Sequence, residues 1–176
     1  MRKVVLYIAM SLDGYIADST GKVDWLNGHG SEEENVDTYS AFIRDVDTVI
    51  MGWNTYDQVT TELSPDEWVY KGLTTYVFTH RRLSSTENIK FVQDNPCSVV
   101  EKIKLEEGKA IWICGGASII QPLMQGGLID EYYISIMPTI LGSGIRLFEE
   151  SQNEMKLKLV RTQSYNGITE LVYSRR

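Results

Sequence analysis

Four short runs of apolar, β-prone residues constrain this chain more than any other feature: Val4 to Met10, Val46 to Met51, Thr74 to Thr79 and Ala110 to Cys114. Each is too short and too uniformly apolar for an amphipathic helix, so each is expected as a strand buried on both faces. Between them lie segments with helical spacing: Val36, Tyr39, Ala41, Phe42 and Ile43; then Val99, Val100 and Ile103 after the start signal Asn95-Pro96; then Ile119, Ile120, Leu123 and Met124. Strands alternating with helices need crossover connections, which build a largely parallel sheet with helices on its faces. Pro122 falls inside the last of these helices and removes a backbone hydrogen bond there, so that helix is expected to kink or to start later.

The C-terminal third changes character. Tyr132 to Met137 reads as one strand, and Met155 to Tyr165 and Ile168 to Ser174 flank Asn166-Gly167. Both turn residues tolerate the positive φ of a type I′ turn, so the sheet is expected to end in an antiparallel hairpin. No repeat or linker divides the chain, and a single domain over residues 1–176 is expected. A chain of this length buries roughly 70% of its unfolded surface, enough for a core without metals or disulfides. With 24 Asp and Glu against 17 Lys and Arg, it would repel a phosphate backbone, which argues against nucleic acid. Cys97 and Cys114 form neither a disulfide framework nor a C-x-x-C pair, and this favours a reducing, cytoplasmic setting. Arg2-Lys3 and the first apolar run look like a short signal peptide, but Asp13-Gly14 follow at once with no cleavage pattern. No apolar run approaches the ~20 residues of a membrane span.

The segment Ala110 to Ile120, A-I-W-I-C-G-G-A-S-I-I, carries the clearest chemical signal. A strand runs into Gly115-Gly116 and then into a helix, so the backbone can come close to a ligand while the helix start offers N–H donors to an anion such as a pyrophosphate. The same glycines would also serve as a plain tight turn. Thr79-His80-Arg81-Arg82 follows another strand and gathers a hydroxyl and positive donors suited to a phosphate monoester, or forms a solvated loop. Met51-Gly52-Trp53-Asn54-Thr55 is again strand, glycine and helix start, with Thr55 as a cap. Three strand ends thus converge on one edge, where open α/β sheets bind ligands.

Other motifs are absent or incomplete. There is no P-loop and no G-x-S-x-G elbow, and His29 and His80 are the only histidines, far apart in the sequence, so no zinc or other metal site is expected. Gly142-Ser143-Gly144 lacks the third glycine of a dinucleotide fingerprint and reads as a surface turn. Cys114 reads as a small buried strand-end residue and not as a nucleophile.

Taken together, A-M-S-L-D-G-Y-I-A (9–17), V-D-T-V-I-M-G-W-N-T-Y (46–56), V-F-T-H-R (77–81), I-W-I-C-G-G-A-S (111–118) and D-E-Y-Y-I-S-I-M-P-T-I-L-G-S-G-I-R-L-F (130–148) resemble the dihydrofolate reductase superfamily. The chain is most similar there to the RibD C-terminal-domain-like branch. The resemblance implies a three-layer αβα fold, with a mixed central sheet of about eight strands and a C-terminal antiparallel hairpin. It further implies NADPH as cofactor and hydride transfer to a small heterocyclic or carbonyl substrate. By position, it implies that Ala9 and Ile16 contact the nicotinamide end, with Trp25 on the same loop placed to close over the site. Gly52, Asn54 and Thr55 would hold the phosphates, Thr79, His80 and Arg81 would meet the 2′-phosphate, and Gly115, Gly116, Ala117 and Ser118 would lie under the pyrophosphate.

Asp37 lies near the position of the substrate-binding acid of dihydrofolate reductases if one residue of slippage is allowed; otherwise it is an exposed first-turn Asp favoured by the helix dipole. Riboflavin-pathway reductases are marked by arginines that grip a ribose phosphate and by an acid before the diglycine. Here Cys114 precedes Gly115, and 57–68 lacks that arginine signature. The proton could come from Asp37, Tyr39 or a water. Two other classes stay open: a cofactor-binding module without turnover, and an interaction scaffold using Trp25, Trp53 and Trp68 as exposed anchors. The family branch implies a homodimer, with Tyr132 to Met137 or the final hairpin supplying a sheet edge.

Overall fold

The four apolar runs become four neighbouring strands of one sheet in the computed structural model of the chain, which describes residues 1–150 and 154–176. They are β1 (Val4–Ser11), β3 (Val46–Gly52), β4 (Thr74–Phe78) and β6 (Ala110–Gly115). With β5 (Ile89–Val92), β7 (Glu131–Met137), β9 (Leu157–Tyr165) and β10 (Ile168–Arg175), the eight strands lie in the order β5-β4-β3-β6-β1-β7-β10-β9. Pairing is parallel from β5 through β7, and β10 runs antiparallel to both β7 and β9. The short strands β2 (Tyr15–Ala17) and β8 (Ile145–Arg146) form a separate antiparallel pair.

Side-chain alternation sends Ile50, Phe78, Ile111 and Ile113 to one face of the sheet, where α3 (Pro96–Leu105) and α4 (Ala117–Gln125) cover them. Val49, Met51, Val77 and Trp112 go to the other, under α1 (Tyr39–Ile43) and α2 (Trp53–Gln58), which continues as a π-helical turn over Val59–Leu63. Apolar runs without alternation are therefore what a sheet covered on both faces requires. Each fully buried side chain such as Leu6 or Ile50 contributes roughly 1.5–3 kcal/mol by leaving water. Asn95 caps α3 by accepting from Cys97 N at 2.9 Å, with Pro96 at the first helical position where its missing N–H costs nothing.

Several expectations change. The α4 helix starts at Ala117 and runs through Pro122, so it does not start later. The first helix covers only Tyr39–Ile43, because Asp37 turns the chain by accepting from Ser40 N at 2.9 Å and leaves Val36 outside. The Tyr132 to Met137 strand is interior, between β1 and β10, so the free edge on that side falls to β9. The hairpin turn is as expected, with φ of 47° at Asn166 and 75° at Gly167. Among the described residues, no helix is long and apolar enough to cross a membrane.

Candidate functional site

Parallel strands put their C-terminal ends on one edge, and two adjoining features occupy it. The first is a glycine cradle. Register sets Met51 level with Gly115 and Gly52 level with Phe78, so the ends of β3, β4 and β6 lie side by side. Gly52 is the N-cap of α2 and Gly116 that of α4, neither with a side-chain cap, so first-turn N–H groups stay without intrahelical acceptors. Gly115 has φ of +142°, which side chains rarely adopt, and its peptide bond to Gly116 is cis. A Cβ on either glycine would lie 3.6 Å from Thr55 Oγ1, and one on Gly52 would lie 3.3 Å from Ile119 and 3.8 Å from Ser118 Oγ. Gly52, Thr55, Gly115, Gly116 and Ser118 are thus brought together around a surface that only glycine keeps open. Thr55 is not the helix cap; it is the third residue of α2, and its hydroxyl faces the diglycine.

The Thr79 segment adjoins this cradle. Thr79 is buried and its hydroxyl accepts from Arg81 N at 3.1 Å, which turns the chain so that the Arg81 guanidinium stacks 4.3 Å over the Trp53 ring. His80 is exposed beside it, as is Asn54 on α2.

The second feature is a cleft of about 450 Å³. Its floor is Tyr7 and Ala9 of β1, Ser135 and Met137 of β7, and Ile168 of β10. One wall is Val36 to Tyr39, where the Tyr7 hydroxyl meets Thr38 Oγ1 at 3.1 Å, and the roof is the loop from Leu26 to Asn35. Ala9 and Asp37 both line it. Asp37 is exposed, and its bond to Ser40 holds its carboxyl below the usual carboxylate range. Burial raises the Tyr39 phenol.

Ile16 sits on β2 and packs partly against the main core. Trp25 is half-buried, donates to Lys22 O at 3.2 Å within its own loop, and is not part of the cleft lining. Trp53 and Trp68 are not the exposed anchors a scaffold would need: both are half-buried, packed on Tyr56 at ring separations of 5.5 Å. Burial pushes the Cys114 thiol up to about 11, which removes it as a nucleophile at neutral pH.

Sequence reasoning missed three contributors. Asn166 fastens the roof: its Oδ1 accepts from Gly30 N at 2.6 Å, and its Nδ2 donates to Ser31 O at 3.0 Å and to Asn35 Oδ1 at 2.8 Å. Asp13 anchors the turn after β1 by accepting from Ser11 Oγ, Gly142 N and Leu141 N, the Ser11 bond foremost in holding its carboxyl down to about 2. Glu170 lies buried beside the floor, directly opposite Ser135. Asn-Gly signalled a turn, but nothing local in the sequence signalled these long-range partners.

Comparisons with known proteins bear on the fold and the family. The chain is 42% identical over 175 residues to the uncharacterized protein YwjB of Bacillus subtilis (strain 168), covering 99% of this chain and 98% of that one. Among solved structures it is similar to a putative riboflavin biosynthesis protein from Shewanella sp. PV-4, with a TM-score of 0.85, 28% identity and 99% of each chain covered. It also shares its fold with the dihydrofolate reductase of Enterococcus faecalis, solved as a complex with NADP(H), at a TM-score of 0.68 and 17% identity over 99% of this chain and 96% of that one. The RibD C-terminal domain family model matches residues 2–169, and on that match the chain belongs to the RibD C-terminal domain family, a branch of the dihydrofolate reductase-like fold.

Proposed function

We propose that the chain is an NADPH-dependent reductase acting on a small heterocyclic, pterin- or pyrimidine-like, or carbonyl compound. The observation that carries this reading is the junction of the two features. Strand β1 contributes Ala9 to the cleft and pairs with β6, whose end is the glycine cradle, so a dinucleotide across the strand ends and a ring in the cleft would meet beside β1. The donor set fits the cofactor. Gly115, Gly116 and the first turn of α4 would take the pyrophosphate, Gly52 and Thr55 would close its other side, and Arg81 on Trp53, with Thr79 and His80, would meet a 2′-phosphate.

A bound nicotinamide supplies the hydride; the chain supplies orientation and exclusion of water. The clasp from Asn166 holds the roof over the cleft. Asp37, ionised at neutral pH and tied to Ser40, orients the substrate or a water. Tyr39 on the same wall is a phenol, protonated at neutral pH by its ordinary range, and is a group with a proton to give. The engagement of Asp37 with Ser40 also favours a second reading, a cofactor-binding module without turnover.

The test is loss of reduced-nicotinamide absorbance with purified protein, NADPH and a panel of dihydropterins, pyrimidines and small carbonyl compounds. Turnover that disappears in Gly116→Val supports the reductase. Saturable NADPH binding with no consumption across the panel leaves the module reading.

A further inference from the structure

The cleft is acidic, and a buried carboxylate beside its floor points to what it takes. Glu32 and Asp37 line it, and no Lys or Arg does. Glu170 is 1% exposed and stands opposite Ser135, which forms part of the floor. Ile168, two residues earlier on the same strand, also lines the cleft, so the period-two pleat puts the Glu170 side chain on the cleft face of the sheet.

One oxygen of that carboxylate is engaged: Oε1 accepts from Arg161 at 3.1 Å and from Gln163 Nε2 at 3.0 Å. The other, Oε2, is sealed from solvent with no hydrogen-bond partner among the described residues. Arg161 pairs with Oε1 from the side of the neighbouring strand β9 and leaves Oε2 without a partner among the described residues. Its side chain is half exposed, so water screens it, whereas the Glu170 oxygen lies in a dry, low-dielectric place where its field persists. The Tyr7 phenol on the cleft floor is raised chiefly by its own burial, and Glu170 adds to the same direction.

The rest of the lining mixes polar side chains, Asn27, Asn35, Thr38, Ser135 and Asn166, with aromatic and apolar ones. Tyr7, Tyr39 and Tyr165 offer ring faces or edges, and Val36, Met137 and Ile168 fill the gaps. Flat rings fit such walls, and a positive charge gains from both the aromatic faces and the carboxylates. The basic groups for phosphate, Arg81 and Arg82, follow β4, three strands away from β1 across the sheet. The ligand edge is therefore polar along its length, basic near β4 and acidic at the cleft.

We infer that the cleft selects a phosphate-free planar heterocycle that is cationic or presents ring N–H donors, and that Glu170 is a specificity-determining residue which sets this preference. The inference rests on the cleft being the substrate half of the proposed reductase site. A ribose phosphate ester would meet the carboxylates of Glu32 and Asp37 in the lining, with Glu170 buried beside the floor, and no Lys or Arg there.

The experiment is calorimetric titration of the full chain, without nicotinamide, with three probes sharing one ring: benzamidine (cationic), benzamide (neutral) and phenyl phosphate (anionic). Benzamidine is expected to bind at least tenfold tighter than benzamide, with phenyl phosphate undetectable. Glu170→Gln is expected to cut the benzamidine preference at least tenfold. Should that variant fail to fold, Ser135→Leu, which fills the floor from the cleft side and leaves the Glu170–Arg161 pair intact, is expected to abolish benzamidine binding. Equal binding of the three probes, tighter binding of phenyl phosphate, no binding of any, or benzamidine binding unaltered in the variants would each overturn the inference. A parallel NADPH titration separates the two claims. NADPH binding without benzamidine binding sinks the cleft chemistry alone, and benzamidine binding without NADPH binding sinks the reductase reading alone.

Discussion

Replacing Asn166 by glycine isolates what the hairpin tip does for the cleft. Glycine adopts the φ of 47° at no steric cost, so the turn survives, and the backbone bond from His29 N to the residue-166 carbonyl at 3.1 Å can remain. What disappears is the amide with its bonds to Gly30, Ser31 and Asn35. Each such bond contributes a net 0.5–1.5 kcal/mol or so, and partners on an exposed loop regain water, so the loss is about 1.5–3 kcal/mol, to which glycine's extra chain entropy adds. For a chain of this size that lowers the thermal midpoint by roughly 4–10 °C. Asn166→Asp keeps the acceptor for Gly30 but sets a carboxylate oxygen against Ser31 O and Asn35 Oδ1, and it should cost at least as much. Thermal unfolding gives the magnitude, and amide exchange at Gly30 locates it. A loss below about 0.5 kcal/mol, with Gly30 exchange unchanged, would refute the clasp.

Gly116→Val should leave the fold intact, because φ there is −86° and a Cβ meets only Thr55 Oγ1 at 3.6 Å, yet it should weaken NADPH binding tenfold or more; unchanged affinity contradicts the cradle. Asp13, with a folded pKa near 2 set chiefly by Ser11, adds stability that is complete above the ordinary carboxylate range and is lost as pH falls through about 2. Urea midpoints of wild type and Asp13→Asn should therefore differ at pH 6 and converge in acid, and a constant gap would contradict the assignment. We propose that the chain pairs with a second copy through β9, a nine-residue edge strand with Leu159 and Val160 exposed, whereas the β5 edge has four residues and carries Lys90. Sedimentation should show a dimer that Leu159→Lys with Val160→Lys splits, and a monomeric wild type would refute it.

The sheet was legible because its strands are buried on both faces: apolar runs like Val46 to Met51 have no other stable place. The α3 cap was legible because Asn95-Pro96 is a local signal. What escaped was non-local. Strand β5 is four residues with one exposed Lys, recognisable only through its pairing with β4, and β2 with β8 is a pair of short segments well over a hundred residues apart. In the site, the glycines and the Thr79 segment announced themselves because close approach and charge have composition. Glu170 did not, since it follows Thr169 as a second polar residue in the strand and nothing local marks it as the one that turns to the buried face. Thr55 was assigned a cap by adjacency, but Gly52 starts the helix one turn earlier, at the residue where the backbone leaves β3.

The central claim is a dinucleotide site built from the ends of β3, β4 and β6. Calorimetric titration of the wild-type chain with NADPH and, in parallel, NADH tests it most directly, and Arg81→Ala supplies the control for the 2′-phosphate. The account predicts saturable NADPH binding, NADH binding weaker by tenfold or more, and a gap between them that shrinks in Arg81→Ala because the guanidinium over Trp53 is gone. No heat and no binding with either dinucleotide would contradict it.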